Sequence, residues 1–162
     1  GEYRRDPGEA GERALMEHMS LMERMAGWLS FVPGEAGKLP PLQLAYIGDT
    51  VYDLFVRTYL VETRPGSVHE LHLLSSSLVS AAGQASAYFR VESMLSEEEK
   101  DIFRRGRNAH SGTVPRNAKV GEYRLATGLE ALMGYLFCTG QEARIGELME
   151  VILKEKIHGI QQ

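Results

Sequence analysis

The run Leu44-Ala45-Tyr46-Ile47-Gly48-Asp49-Thr50-Val51-Tyr52-Asp53-Leu54-Phe55-Val56-Arg57 narrows the folding choices more than any other part of the chain. It is apolar and of helix length, yet it holds one carboxylate near its middle and a second four residues on. Positions i and i+4 share a helix face, so Asp49 and Asp53 would stand one above the other, flanked by Ala45 and Val56. A charge inside such a run is costly to desolvate unless it is paired, hydrogen-bonded or bound to a metal. The rest of the chain has to answer what Asp49 meets.

No stretch alternates with period two and no segment repeats, so the expected fold class is all-α. Pro40-Pro41 opens the Asp49 helix, and Arg64-Pro65-Gly66 stops it after about Glu62. Upstream, residues 1–12 are charged and glycine-rich and read as poorly ordered. Leu15, Met19, Met22, Ala26 and Leu29 then predict one amphipathic helix over 13–29 that covers part of the core. Downstream, Ser67 to Leu74 reads as a short helix, Ser75-Ser76-Ser77 as a break, and 78–94 as a small-residue helix. Ser96-Glu97-Glu98-Glu99 is a capping box. Its helix reaches about Asn108, with acids at its start and Arg104, Arg105 and Arg107 at its end, as the macrodipole favours. His110 to Asn117 is a loop, Gly121 to Cys138 a helix stopped by Gly140, and Glu142 to Ile157 a last amphipathic helix. His69 and His72 lie three apart without a third ligand pattern and read as surface histidines.

With 162 residues the chain suits one domain, and such a domain buries about 70% of its unfolded surface. Cys138 is the single cysteine, which excludes a cysteine-rich metal cluster and is consistent with a reducing compartment. No apolar run approaches the ~20 residues of a membrane span, and the polar start lacks the apolar core of a signal peptide. The expectation is a cytoplasmic protein with no membrane partner. A net charge of −4 argues against a general nucleic-acid binder. From Arg104 to Arg124, however, six bases (Arg104, Arg105, Arg107, Arg116, Lys119, Arg124) face one acid, Glu122. Such a stripe can hold a polyanion locally.

The 121–138 helix repeats the peculiarity of the first. Ala126-Thr127-Gly128-Leu129-Glu130-Ala131-Leu132-Met133-Gly134-Tyr135 is small and apolar around one carboxylate. Helical glycines cost about 1 kcal/mol each relative to alanine, so a packing or functional reason is implied. If the flat face of Gly128, Ala131 and Gly134 meets that of Ala45 and Gly48, Asp49 and Glu130 converge. Two partly buried carboxylates repel, and a divalent cation resolves the repulsion; oxygen-only ligands suit Mg²⁺ or Mn²⁺. Salt bridges of Asp49 with Arg57 or Arg124, and of Glu130 with Arg124, answer the same charges without a metal.

These residues resemble a known family. Tyr46-Ile47-Gly48-Asp49 with Val51 and Asp53 resembles the signature helix of ribonuclease III, and Glu130-Ala131-Leu132-Met133-Gly134 resembles its second acidic motif. Arg105-Gly106-Arg107-Asn108-Ala109, Ser111-Gly112-Thr113 and Tyr123-Arg124 carry the likeness to the family's small Mini-III branch, which lacks a double-stranded-RNA-binding domain. The similarity runs from about residue 39 to about 155. It implies the helical fold of the ribonuclease III endonuclease domain over residues 31–158, with 1–30 as an N-terminal extension. It further implies a homodimer that cleaves double-stranded RNA with Mg²⁺, Mn²⁺ being a substitute, to 5′-phosphate and 3′-hydroxyl ends. Members of the branch mature 23S ribosomal RNA at the stem of its precursor, and a large-subunit ribosomal protein is a further partner to consider.

Carried over residue by residue, Asp49 and Glu130 are the catalytic metal ligands. Ala45 and Thr127 stand where full-length enzymes have carboxylates, so one well-held Mg²⁺ per subunit is expected, with a second recruited by the RNA phosphate as the alternative. Asp53 is the candidate outer acceptor for a water on that metal. Arg104, Arg105, Arg107, Asn108, His110, Ser111, Thr113, Arg116, Asn117 and Lys119 are the candidate RNA contacts, reading shape rather than base sequence. The resemblance puts the Asp49 helix near the dimer interface, with Tyr52 and Phe55 as its apolar surface. The competing readings are a non-catalytic RNA-binding or ribosome-associated protein of the same fold, and a small all-α metal phosphohydrolase acting on nucleotides.

Overall fold

The computed structural model describes residues 7–109 and 119–160. Among the described residues every regular element is helical. They are α1 (Pro7–Glu17), α2 (Leu21–Leu29), α3 (Pro41–Thr63), α4 (Val68–Val79), α5 (Ala81–Val91), α6 (Glu97–Asn108), α7 (Val120–Cys138) and α8 (Glu142–Ile160). Short 3-10 turns at Ala36–Lys38 and Glu92–Met94 join them.

The elements start where local chemistry tells them to. Pro41 sits in the first turn of α3, where its missing N–H is no loss. Ser67 and Ser96 close reciprocal capping boxes with Glu70 and Glu99. Gly140, at φ +71°, follows the last turn of α7 in the left-handed conformation that glycine adopts freely.

α7 is the central element. From Ala126 to Leu136 every residue except Glu130 is buried, because α3, α5, α6 and α8 all pack around it. Its Leu129, Leu132, Met133 and Leu136 meet Leu44, Tyr52, Val56 and Leu60 of α3 and Leu148 and Ile152 of α8 in one core. The approach of α3 to α7 is set by two glycines. A Cβ on Gly48 would lie 1.6 Å from the Glu130 carbonyl oxygen, and one on Gly134 would lie 1.9 Å from that of Leu44. Position 48 thus faces 130 while 44 faces 134, so the two helices run in opposite senses at their crossing.

A second close contact seats α6. A Cβ on Gly106 would lie 2.6 Å from the Ala131 Cβ and 3.0 Å from the Gly128 Cα. Stacking of Tyr88 on Phe103 at 3.9 Å joins α5 to α6. Arg144 of α8 donates to both carboxylate oxygens of Glu99 at 2.9 Å and to the Met94 carbonyl at 2.7 Å.

Five expectations are corrected. The single helix over 13–29 is two helices, α1 and α2, because the Ser20 hydroxyl accepts from Glu23 N–H and starts a new one. Leu15 and Leu29 are 71% and 66% exposed and do not cover the core, and 7–12 are helical rather than irregular. Ser75-Ser76-Ser77 does not break α4. Ser75 and Ser77 donate to carbonyls three residues back within the helix, and the break falls at Ser80, which caps α5. Tyr52 offers no interface surface: it is wholly buried and donates to the Leu78 carbonyl at 3.1 Å.

Since the Gly48 and Gly134 contacts are with backbone, Gly48→Ala and Gly134→Ala should each destabilise the protein by about 3 kcal/mol or more. Gly27, with nothing within 4 Å of its would-be Cβ, supplies the control: Gly27→Ala should be neutral or stabilising by up to about 1 kcal/mol. Urea denaturation followed by circular dichroism checks both.

Candidate active site

The crossing of α3 and α7 brings Asp49 and Glu130 together, with the side chains in hydrogen-bond contact. Asp49 follows Gly48 in sequence, and the Glu130 carbonyl is what Gly48 packs on, so the glycine contact fixes the pair. Their environments differ. Asp49 is exposed, whereas Glu130 is partly buried in the wall of the core. The costly charge is therefore Glu130, not Asp49 as the apolar run around Asp49 had suggested. Burial first, then the hydrogen bond and charge of Asp49, push the Glu130 carboxyl up to about 8, while donation from the Gln84 amide acts in the opposite sense.

The salt-bridge alternatives are not taken up. Arg57 pairs with Asp53 instead, its Nε 2.9 Å from both carboxylate oxygens. Among the described residues neither Asp49 nor Glu130 has a lysine or arginine within salt-bridge distance. The structure thus couples Asp53 to Arg57. Thr127 is buried with its hydroxyl turned back to the Tyr123 carbonyl at 2.9 Å, and Ala45 is buried as well. Neither adds an acid to the pair. Among the described residues no group of three or more His, Cys, Asp or Glu side chains could hold a metal ion; His69 and His72 are exposed on α4. The two carboxylates form an oxygen-only, mutually repelling pair, which fits a hard divalent cation.

The basic residues gather at the end of α6 and the start of α7. Arg104 is exposed, with Asp101 at 3.9 Å. Arg105 donates to the Gly37 carbonyl at 3.1 Å and so is partly engaged in holding the 3-10 turn. Arg107 Nε donates to Asn108 Oδ1 at 3.2 Å, and Lys119 is exposed at the N-cap of α7. Because Gly106 packs on Ala131, the Arg107-Asn108 end of α6 is tied to the stretch of α7 that bears Glu130. His110, Ser111, Thr113, Arg116 and Asn117 lie outside the described residues.

One residue of this site was not anticipated. Gln84 of α5, only 3% exposed, reaches the Glu130 carboxylate. Its signal in the sequence was a single long polar side chain within Ala81-Ala82-Gly83-Gln84-Ala85-Ser86-Ala87.

The raised Glu130 carboxyl has a consequence for stability. In the fold it keeps its proton at a pH where the unfolded chain, at about 4.5, has released it. Its contribution is complete below 4.5 and is lost as the pH climbs toward 8. In a chelator, the melting temperature should fall between about pH 5 and 8, and Glu130→Gln should remove that part of the fall. Thermal melts of both proteins across this range check it.

Comparison with known proteins agrees with the geometry. The Ribonuclease III domain family model matches residues 42–141. Mini-ribonuclease 3 of Thermoanaerobacter sp. is 47% identical over 113 residues, covering 70% of this chain and 80% of the relative. Mini-ribonuclease 3 of Enterococcus faecalis is 43% identical, covering 73% and 91%. A crystal structure of a protein from Fusobacterium nucleatum superimposes with a TM-score of 0.67 at 29% identity, covering 74% of this chain and 95% of that one. The chain, helical in every regular element among the described residues, belongs to the ribonuclease III family in its Mini-ribonuclease 3 branch and is an endoribonuclease.

Proposed function

We propose that this endoribonuclease cleaves double-stranded RNA in a Mg²⁺-dependent reaction at Asp49 and Glu130, leaving 5′-phosphate and 3′-hydroxyl ends, and that its natural substrate is the precursor stem of 23S ribosomal RNA. The observation that carries the reading is the contact of Asp49 with Glu130 across the Gly48–Gly134 crossing. In this reading residues 31–158 are the catalytic domain, residues 1–30 an extension to it, and the protein works in the cytoplasm. Among the described residues no helix is long and apolar enough to cross a membrane.

Asp49 and Glu130 hold the cation, with Mn²⁺ able to replace Mg²⁺. When bound, it supplies positive charge against a phosphate that gains negative charge as the bond breaks, and it acidifies water. The protein's own contribution is placement. Glu130 is anchored in the wall of the core, so its carboxylate does not wander. Asp49, on the solvent side, is open to an incoming strand. Arg104, Arg107, Asn108 and Lys119 offer phosphate and groove contacts, which is how A-form duplexes are recognised. A large-subunit ribosomal protein is a proposed helper in presenting the stem. Asp53, held by Arg57, acts at most through its free lone pairs on the hydration of the site.

A two-fold dimer is the proposed assembly, since two sites are needed to cut two strands. Its support is apolar surface on α3 that the fold leaves outside: Tyr46 is 83% and Leu54 59% exposed.

Asp49→Asn and Glu130→Gln should each lower cleavage of a duplex RNA at least about a hundredfold while leaving gel-shift affinity in place. Arg107→Ala should instead weaken binding and lower its salt dependence by about one phosphate contact. Normal cleavage by either carboxylate variant would remove the assignment; end mapping on a 23S precursor stem, with and without Mg²⁺, tests the products. Sedimentation velocity should give twice the chain mass for the wild type, and Leu54→Asp should shift it toward the single chain.

A further inference from the structure

Gln84 is a costly residue to bury, and its surroundings say what it lacks. It lies on α5 beside the corner with α4, a corner that cannot relax. A Cβ on Gly83 would lie 2.2 Å from the Ser77 carbonyl oxygen, and Ser80 caps α5 by accepting from Gly83 N–H at 3.1 Å. The Gln84 Nε2 donates to the Val79 carbonyl at 2.9 Å, and the amide lies close enough to the Glu130 carboxylate to favour its charged form. Both partners are acceptors, so the orientation of the carboxamide is decided: turning it over would set Oε1 against a carbonyl or a carboxylate. Oε1 is then left buried, with no hydrogen-bond donor among the described residues.

A buried acceptor without a donor costs free energy that an apolar side chain of the same shape would not. If Gln84 only filled space, leucine or methionine would serve better. Oε1 shares its carbon with the N–H that reaches Glu130, so it lies beside that carboxylate. There it adds the oxygen of a third side chain to the pair. Oxygen acceptors gathered in this way form a surrounding that suits a hydrated hard cation, whose waters are strong donors.

Resting on the reading of Asp49 and Glu130 as cation ligands, we propose that Gln84 is a positioning residue of that site: its N–H holds the Glu130 carboxylate, and its Oε1 accepts a hydrogen bond from the hydration shell of the bound cation. Outer partners of this kind tune metal affinity by about 10- to 100-fold in other sites. Gln84 differs from Asp53 in that its remaining polar atom has no partner among the described residues, whereas Asp53 already has Arg57.

The test is binding of Mn²⁺ to the RNA-free protein, read by electron paramagnetic resonance of the free ion. Wild type should bind and Asp49→Asn should not. Gln84→Met should bind about tenfold more weakly or worse, with RNA affinity in chelator unchanged. If Asp49→Asn binds like wild type, the carboxylate reading itself fails. If Asp49→Asn loses the ion while a folded Gln84→Met keeps wild-type affinity, the inference about Gln84 alone is overturned. A second measurement needs no change at Gln84. In the nitrogen–proton spectrum of the wild type, the Gln84 side-chain amide signals should shift on titration with Mg²⁺ and saturate with the binding curve, and they should stay put in Asp49→Asn. Unmoved signals at saturating Mg²⁺ in the wild type would also overturn it.

Discussion

The contact of backbone with backbone between α3 and α7 governs everything else in this molecule. Where residues 48 and 134 would carry a Cβ, they meet instead a carbonyl oxygen of the other helix. Any side chain at either position would push the helices apart, and Asp49 and Glu130 would separate with them. The low helix propensity of glycine, which penalises both helices locally, is offset by the approach it permits. The approach also produces an unequal pair. Asp49 emerges toward solvent, while Glu130 is set into the most buried helix of the fold.

The same helix seats the basic end of α6. Gly128 meets Phe103 and Gly106, and Gly134 meets Leu44 and Gly48. Six residues apart at about 100° each, the two glycines point about 120° away from one another, so α7 can take a close neighbour on each of two sides. Glu130 lies between them in sequence. The carboxylate pair and the Arg107-Asn108 end are therefore held by one rigid element rather than by loops of independent motion, which is the condition a site needs to keep its parts in register.

Much of this was legible in the residues. Caps and stops set the ends of α3, α6 and α7 because Pro41, Ser96 and Gly140 act within one turn of themselves. The pairing of Asp49 with Glu130 was readable from the small residues around both. Part of what failed depended on distant packing. Tyr46 and Tyr52 are also six residues apart on one apolar helix, yet one is 83% exposed and the other wholly buried. Periodicity cannot separate them, because α3 meets α4, α6 and α7 on different sides. Ser20 had a local signal, a serine three residues before Glu23, hidden by the stronger three-and-four spacing of methionines and leucines. The serines of α4 mislead for the opposite reason: their hydroxyls bond within the helix that they were expected to end. Gln84 had only its contrast with alanine neighbours, and its meaning came from α7, which lies far along the chain.

Charge balance at the crossing bears on how many cations the site can hold. Asp53 is compensated by Arg57 on its own helix. Ala45, one turn before Asp49, and Thr127, three residues before Glu130, are buried and uncharged. That leaves two carboxylates, and Glu130 ionises only against burial and its neighbour. One divalent cation brings such a pair to neutrality and removes the repulsion. A second would have to enter a partly desolvated site with no negative charge left to meet it, a cost the protein has no side chain to offset. The phosphate of a bound strand does carry that charge. On the proposed reading, these residues supply charge for one cation, and any second would need the charge of the RNA phosphate.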